Sequence, residues 1–198
     1  MNIDELDGRL LALRERAKEG RDPTAYDETL LLLIKKAQEG NAKRILEIGA
    51  GEGLTSIALL LTTKARVTAI ECDGERARTA RENFRAFALS ERVNFIEEDA
   101  LVVLPALEED GIYDIIFLDG PKAQYRKYLP DCKRLLKKGG YLFSDDILLF
   151  GYVLGEPPKK RRMLAVHIRE YLKLLQEDND FETQILPIGE GLAVSRKK

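Results

Sequence analysis

The stretch that decides the fold is Ile45-Leu46-Glu47-Ile48-Gly49-Ala50-Gly51-Glu52-Gly53. A short apolar run leads into a glycine-rich turn, and the turn opens a helical pattern. Glycine permits a sharp backbone turn and lets a ligand approach without a Cβ in the way. The stretch therefore predicts a buried strand, a turn that can hold a ligand, and the start of a helix.

Similar short runs of β-branched and apolar residues recur along the chain, separated by helical patterns. With the first run they cover residues 44–48, 66–70, 92–96, 113–118 and 140–144. Runs of this length are typical of buried strands. Strands that alternate with helices predict a parallel sheet with helices on both faces. Gly139 and Gly140, which follow two lysines, predict the end of the helix before the last of these strands.

The C-terminal residues break this alternation. Residues 181–188 and 192–195 have strand character, and Gly189-Glu190-Gly191 lies between them. A tight turn between two strands predicts an antiparallel hairpin at the sheet edge. We therefore expect an α/β fold with a doubly wound, seven-stranded, mostly parallel sheet, built as one domain over residues 1–198. Helical patterns at 10–18 and 26–38 make residues 1–40 an N-terminal helical extension.

The composition excludes several classes of protein. The 198 residues are 44% hydrophobic and 33% charged, which is ordinary for a folded protein. A net charge of −2 excludes nucleic-acid binding through overall charge, and one His with two Cys excludes a thiolate zinc site or a disulfide framework. The acidic N-terminus is unlike a secretory signal, and the apolar runs are too short to span a bilayer. We expect a cytoplasmic protein without membrane contact.

The spacing of the glycine loop distinguishes two ligands. A dinucleotide loop follows the pattern G-x-G-x-x-G, whereas Leu54 stands where its last glycine would be. A pyrophosphate needs bare amides at a helix N-terminus, and Glu47 and Glu52 would repel it. A cationic, methionine-type ligand tolerates both acids. S-adenosylmethionine (SAM) therefore fits this loop better than NAD.

Two acids beyond the loop support a nucleoside ligand. Glu71 ends the second strand, 20 residues after Gly51, where a carboxylate can accept both hydroxyls of a ribose. Asp99, followed by Ala100, comes after the third strand. At that position an acid can accept the amino group of adenine.

Further motifs carry a family resemblance. They are Asp119 with Lys122 and Gln124-Tyr125 after the fourth strand, Ser144-Asp145-Asp146 at the end of the fifth, the basic run Lys159-Lys160-Arg161-Arg162, and the ending Ile188-Gly189-Glu190-Gly191-Leu192-Ala193. From about residue 20 onward the chain resembles class I SAM-dependent methyltransferases, in particular the metal-dependent O-methyltransferases of the catechol and caffeoyl-CoA type. More narrowly it resembles the bacterial tRNA 5-hydroxyuridine methyltransferases, whose pattern has Asn where this chain has Asp146.

The resemblance implies a cofactor site and a homodimer. The residues carried over to SAM are Glu28, Glu47, Gly49, Gly51, Gly53, Thr55, Glu71, Asp99, Ala100 and Asp119. The N-terminal helices are the expected dimer contacts.

Three carboxylates are expected to hold a metal ion. Asp119, Asp145 and Asp146 follow the fourth and fifth strands, and open α/β sheets bind ligands outside the carboxyl ends of their strands. Oxygen ligands without His or Cys suit a hard divalent cation such as Mg²⁺. Such a cation lowers the pKa of an acceptor hydroxyl, so that its oxygen can attack the methyl group of SAM. The resemblance makes Asp119 and Lys122 the catalytic pair, with Lys122 taking or guiding the proton.

The substrate must offer two adjacent oxygens to the metal, and both a catechol and 5-hydroxyuracil do so. Basic residues near the expected metal loops favour RNA, because asymmetric charge on a near-neutral protein provides local phosphate contacts. The expected RNA contacts are Lys122, Arg126, Lys159, Lys160, Arg161 and Arg162. Together with these residues, the resemblance to the tRNA-modifying branch implies that 5-hydroxyuridine at the wobble position of the tRNA anticodon loop is methylated to 5-methoxyuridine. The alternatives are a small catechol-type substrate and a SAM- or nucleotide-binding protein without turnover.

Overall fold

The computed structural model describes residues 2–20, 24–149 and 151–198. Its strands are β1 (Arg44–Ile48), β2 (Arg66–Glu71), β3 (Val93–Glu97), β4 (Tyr113–Leu118), β5 (Leu136–Ser144), β6 (Phe181–Leu186) and β7 (Leu192–Lys197). They form one sheet in the order β3-β2-β1-β4-β5-β7-β6. The pairs among β1 to β5 are parallel, whereas β7 is antiparallel to both β5 and β6. The expected doubly wound sheet with an antiparallel C-terminal hairpin is confirmed.

Helices cover both faces of the sheet. In the described residues they are α1 (Gly8–Glu19), α2 (Asp27–Glu39), α3 (Leu54–Thr62), α4 (Gly74–Ala86), α5 (Ala100–Ala106), α6 (Tyr125–Leu135) and α7 (Arg162–Glu177). The carboxylates of Asp73 and Asp99 cap α4 and α5 by accepting backbone N–H groups that a helix start leaves open. The expected N-terminal extension corresponds to α1 and α2. None of the helices in the described part of the chain has the length and apolar character needed to cross a membrane.

The inner strands face two separate cores. Ile45 of β1 packs with apolar residues of α1 to α4, whereas Leu46 and Ile48 pack with residues of α5 to α7. Successive side chains of a strand point to opposite faces, so a strand between two helix layers is apolar nearly throughout. This is why β1 could be recognised from its short, almost continuous apolar run.

The structure corrects the expectation for Gly139 and Gly140. Both lie inside β5, and α6 ends before them. The pairing of β5 with β4 shifts register between Tyr113 and Ile115. Gly139 has φ +77°, and a Cβ on Gly140 would lie 2.9 Å from the carbonyl oxygen of Asp114. A strand irregularity and a helix end both call for glycine, so the local pattern did not separate them.

The sheet order places the candidate residues at one edge. From β1 the chain first adds β2 and β3 on one side and then crosses to β4 on the other. Open α/β sheets bind ligands at such a switch point. The backbone N–H of Asp119 donates to the carbonyl oxygen of Ile48 at 2.9 Å, so the carboxyl ends of β1 and β4 meet.

Candidate active site

The first residues of the glycine loop bring β1, β2 and β4 together. The backbone N–H groups of Gly49 and Ala50 donate to the carbonyl oxygen of Ile70 at 2.9 and 3.0 Å. Gly49 has φ +87°, and a Cβ there would lie 2.5 Å from the carbonyl oxygen of Asp119. Any other residue would be strained and would clash with β4 at this point. The loop therefore runs directly beside Asp119.

Glu71, the last residue of β2, holds the glycine loop through hydrogen bonds to the backbone. Its Oε2 accepts the backbone N–H of Gly51 and its Oε1 accepts that of Asp73, both at 2.8 Å. The carboxylate thus lies where the sequence placed it, at the end of β2. Each carboxylate oxygen can accept more than one hydrogen bond, so Glu71 can still receive the hydroxyls of a ribose.

These residues open onto a cavity of 430 Å³, called the first cavity. The residues carried over to SAM that line it are Glu47, Gly49, Gly51, Thr55, Glu71, Asp99, Ala100 and Asp119. Glu28 and Gly53 differ from the expectation, because neither is among its lining residues. Gly53 has φ +81° and supports the loop from behind, since a Cβ there would lie 2.7 Å from Cζ of Phe84.

Glu47 is a buried carboxylate beside the loop. The residue is 2% exposed, and the hydroxyl of Ser56 donates a hydrogen bond to its Oε2. Burial raises the pKa of Glu47 to about 8, although the Ser56 hydrogen bond favours the ionised form. Glu47 therefore retains its proton at neutral pH. A neutral Glu47 has no charge to repel a pyrophosphate, which differs from the expectation based on the sequence.

Lys122 lies between two of the three predicted metal ligands. Its Nζ is 2.8 Å from Oδ1 of Asp119 and 3.0 Å from Oδ2 of Asp146. Burial opposes the charge of this ammonium, but Tyr125, Asp119 and Asp146 outweigh it and raise the pKa of Lys122 well above its ordinary value. Lys122 is therefore protonated here and stands where a cation was expected.

Asp145 and Asp146 follow β5 in a tight turn. Asp146 has φ +56°, a left-handed conformation that Asp and Asn adopt more readily than other non-glycine residues, so either fits the backbone. Burial, followed by repulsion from Asp119 and Asp146, raises the pKa of Asp145 to about 7. The hydroxyl of Tyr125 donates to the carbonyl oxygens of Leu118 and Asp145, at 2.9 and 3.2 Å, and ties the ends of β4 and β5 together.

A second cavity of 450 Å³ meets the first at Thr24, Ala25 and Asp119, which line both. The other residues that line the second cavity are Lys18, Tyr26, Asp27, Glu28, Asp145, Asp146 and Glu190. Glu28, expected at the cofactor, thus lies here. The second cavity is strongly acidic and contains all three predicted metal ligands.

The three aspartates share this cavity without forming a ready coordination site. Within residues 2–20, 24–149 and 151–198, no three His, Cys, Asp or Glu side chains are arranged to hold a metal ion. The donor chemistry nevertheless fits a hard divalent cation, because three carboxylates line one cavity and two of them already hold an ammonium. Binding of such a cation requires Lys122 to move away from Asp119 and Asp146. The metal site stays a prediction.

Sequence reasoning missed the contribution of α1 to both cavities. Ala17 lines the first cavity, Lys18 the second, and Thr24 and Ala25 both. Ala17 and Lys18 belong to no recognisable motif. Their role arises from packing between elements that are distant along the chain, for which the sequence holds no local signal.

The predicted RNA contacts lie outside the cavities, except for Lys122, which lines the first. Basic residues on or beside α6 are largely paired with acids: Arg126 with Glu170, Lys133 with Asp178 and Asp180, Arg134 with Asp110, and Lys137 with Asp114. Lys159, Lys160 and Arg161 form a 3₁₀ turn before α7 and, with Arg162, are exposed. Among the predicted RNA contacts, the exposed positive charge is therefore concentrated in this short run.

Comparison with known proteins identifies the family. A family described as O-methyltransferase matches residues 18–198. The chain belongs to the O-methyltransferase family. Among curated members, a caffeoyl-CoA O-methyltransferase of Populus kitakamiensis is 31% identical over 166 residues, which are 79% of this chain and 71% of the relative.

Two solved structures share the fold of this O-methyltransferase. A Staphylococcus aureus protein, provisionally assigned as a caffeoyl-CoA O-methyltransferase, is 28% identical with a TM-score of 0.90, over 97% of this chain and 93% of that one. An O-methyltransferase of Bacillus cereus in complex with SAH is 23% identical with a TM-score of 0.86, over 97% and 91%, and here the likeness concerns the fold alone. The prediction of a SAM-dependent O-methyltransferase is confirmed. The narrower resemblance to the tRNA-modifying enzymes stays a prediction.

Proposed function

We propose that this O-methyltransferase transfers the methyl group of SAM to one hydroxyl of a small catechol-type molecule, with a divalent cation as a second cofactor. The observation that carries the proposal is that two cavities meet at Asp119. The first adjoins the glycine loop, and the second contains the predicted metal ligands. Donor and acceptor then lie on either side of Asp119, and the methyl group crosses at this junction.

The first cavity binds the donor through residues at successive strand ends. Glu71 receives the ribose hydroxyls, and Asp99 receives the adenine amino group through an oxygen that can serve a ligand and the α5 cap together. The bare backbone at Gly49 and Gly51 admits the methionine part. This assignment follows from the position of each residue at the switch point of the sheet.

The second cavity prepares the acceptor. A divalent cation, when bound, lowers the pKa of the acceptor hydroxyl and orients its neighbouring oxygen. Asp119, Asp145 and Asp146 are the residues that would hold it. Once its ammonium has left Asp119 and Asp146, Lys122 has lost the carboxylates that raise its pKa and can release its own proton to water. The neutral amine then takes the proton of the acceptor hydroxyl.

A small acceptor is favoured over the wobble nucleoside of tRNA. The relative from Populus is a caffeoyl-CoA O-methyltransferase, and the acidic second cavity repels the phosphates of an RNA backbone. The observation that favours tRNA is the exposed basic run at Lys159–Arg161 and Arg162. A homodimer with contacts through the N-terminal helices is part of the proposal.

The test is a methyl-transfer assay with SAM and a neutral catechol, with and without EDTA. We expect turnover with Mg²⁺ or Mn²⁺, loss of turnover in EDTA, and loss of turnover in Asp145→Ala with SAM binding retained, because Asp145 lines only the second cavity. Lys127→Met, a change at an exposed lysine of α6, is the control. Turnover that resists both EDTA and Asp145→Ala would refute the metal. Failure with every catechol, together with formation of 5-methoxyuridine in tRNA, would refute the small acceptor.

A further inference from the structure

Helix α1 carries an arginine in the protein interior. Arg14 is 1% exposed, and its helix also buries Leu10 and Ala17. Arginine is almost never fully buried unless its donors are paired, because an unpaired buried charge is costly. The placement of Arg14 therefore depends on what its guanidinium contacts.

The guanidinium of Arg14 binds three of the four residues 24–27, which end at the first turn of α2. Nη1 donates to Oγ1 of Thr24 at 3.1 Å, and Nη2 donates to the carbonyl oxygen of Ala25 and to Oδ1 of Asp27, each at 2.7 Å. Ala25 is 3% exposed, so Arg14 satisfies a carbonyl that has little access to water. The segment is thus held by one side chain from a different helix.

The same segment is the wall shared by the two cavities. Thr24 and Ala25 line both, and Asp27 lines the second. Helix α1 adds Ala17 to the first cavity, while Nζ of Lys18 lies 3.4 Å from Oδ2 of Asp27. Arg14 therefore connects α1 to the place where donor and acceptor would meet.

We propose that Arg14 is a positioning residue that fixes residues 24–27 as the common wall of the donor and acceptor sites, which makes α1 part of the active site. The inference rests on the proposed function, since it assigns SAM to the first cavity. A planar guanidinium can hold three oxygens in a defined geometry, whereas a lysine ammonium is a single point of contact. The family match begins at residue 18, so Arg14 lies outside the matched residues.

The test compares Arg14→Ala and Arg14→Lys with the unchanged protein. Calorimetry measures the Kd of SAM without acceptor, and initial rates with a neutral catechol give kcat and KM. We expect the Kd of SAM to rise about tenfold in both variants, equivalent to ~1.4 kcal/mol of binding free energy. We expect kcat to fall up to ~100-fold, because small misplacements at a reacting site have effects of this size. Millimolar guanidinium should restore SAM binding to Arg14→Ala, and equal sodium should not.

The controls separate positioning from stability. Arg16→Ala changes an exposed arginine of the same helix and should leave the Kd of SAM unchanged. Arg14→Lys keeps a charge near Asp27, so it covers the case in which Arg14→Ala does not fold. A folded Arg14→Lys protein with unaltered Kd and kcat would overturn the proposal. The Kd measurement needs no acceptor, so an enzyme that binds SAM but methylates no catechol would refute the proposed acceptor and still decide the role of Arg14.

Discussion

The ammonium of Lys122 lies 2.8 Å from Oδ1 of Asp119, and the same Nζ is 3.0 Å from Oδ2 of Asp146. One lysine thus compensates two carboxylates at the junction of the two cavities. All three side chains are at least two-thirds shielded from solvent, so their charges are only partly screened. Lys122 is therefore both the candidate proton carrier and a competitor for any cation at these aspartates.

Replacing Lys122 by Met should strengthen metal binding and weaken catalysis. Loss of the ammonium leaves Asp119 and Asp146 without a positive partner, so we expect the Kd of Mn²⁺ to fall about tenfold or more. Methyl transfer should drop by about 10²–10⁴, the usual contribution of a positioned acid or base. Calorimetry and initial rates measure the two effects, with Lys127→Met as the control. An unchanged Kd for Mn²⁺ would show that Lys122 does not compete for this site.

Glu47 should make stability depend on pH. Burial raises its pKa from 4.5 to about 8, so the folded protein binds this proton more tightly than the unfolded chain. The contribution of this bound proton to the free energy of unfolding is complete below about pH 4.5. It is lost as the pH rises to about 8, at up to ~1.4 kcal/mol per pH unit. Glu47→Gln removes this contribution. Urea unfolding measures the free energy of unfolding of both proteins at about pH 5 and pH 8. Between these pH values, the stability of Glu47→Gln should rise relative to that of the unchanged protein by a few kcal/mol in total.

The matched control for Glu47 is Glu182→Gln, because Glu182 is an exposed carboxylate outside both cavities. Its unfolding should show the pH dependence of the unchanged protein. The same pH dependence in Glu47→Gln would contradict a proton held by burial.

Two glycines of the loop should have separable roles. Gly53 has φ +81° and packs against Phe84, whereas Gly51 has φ +53° and a Cβ there would meet nothing within 4 Å. Alanine in a left-handed conformation costs about 1–2 kcal/mol at either position, and the contact with Phe84 adds to this at Gly53. Gly53→Ala should therefore lower the free energy of unfolding more than Gly51→Ala does. Gly51→Ala should weaken SAM binding more, because Gly51 lines the first cavity. Urea unfolding measures the stability of the two variants, and calorimetry measures their affinity for SAM. The opposite order in either measurement would contradict these separate roles.

Charge reversal of Lys159, Lys160, Arg161 and Arg162 to Glu tests the RNA alternative. These residues are exposed and line neither cavity, so turnover of a small catechol should stay within about twofold of the unchanged protein. Mass spectrometry of wobble nucleosides from a deletion strain, complemented with either protein, measures the effect on tRNA. Restoration of 5-methoxyuridine by the unchanged protein alone would support an RNA substrate. Lys64→Glu, at another exposed lysine, is the control.

The sheet could be predicted because its signal is local. The expected strands at 44–48 and 113–118 coincide with β1 and β4, since an apolar run between polar segments reports a strand buried on both faces. The prediction was wrong at Gly139 and Gly140, where the decisive fact is a register shift against β4, a partner more than 20 residues earlier in the chain.

The site could be predicted only in part. Parallel strands end at the same edge of a sheet, so the sequence could predict that the residues assigned to the cofactor at the ends of β1, β2 and β3 lie together, and they line one cavity. Glu28 was placed at the cofactor and lies in the second cavity, because the direction from which α2 enters is set by its packing. The contacts of Arg14 with residues 24–27 have no counterpart in any motif.

By itself, the sequence determined the strands, the antiparallel C-terminal hairpin, the glycine loop and the acids that follow the strands, because these depend on local periodicity and on glycine's freedom at positive φ. Only the tertiary structure decided which of these groups carry charge and what they face. Glu47 retains its proton through burial, and Lys122 retains its own between two carboxylates. Burial and distance between residues far apart in the chain set both outcomes, and neither quantity exists until the chain has folded.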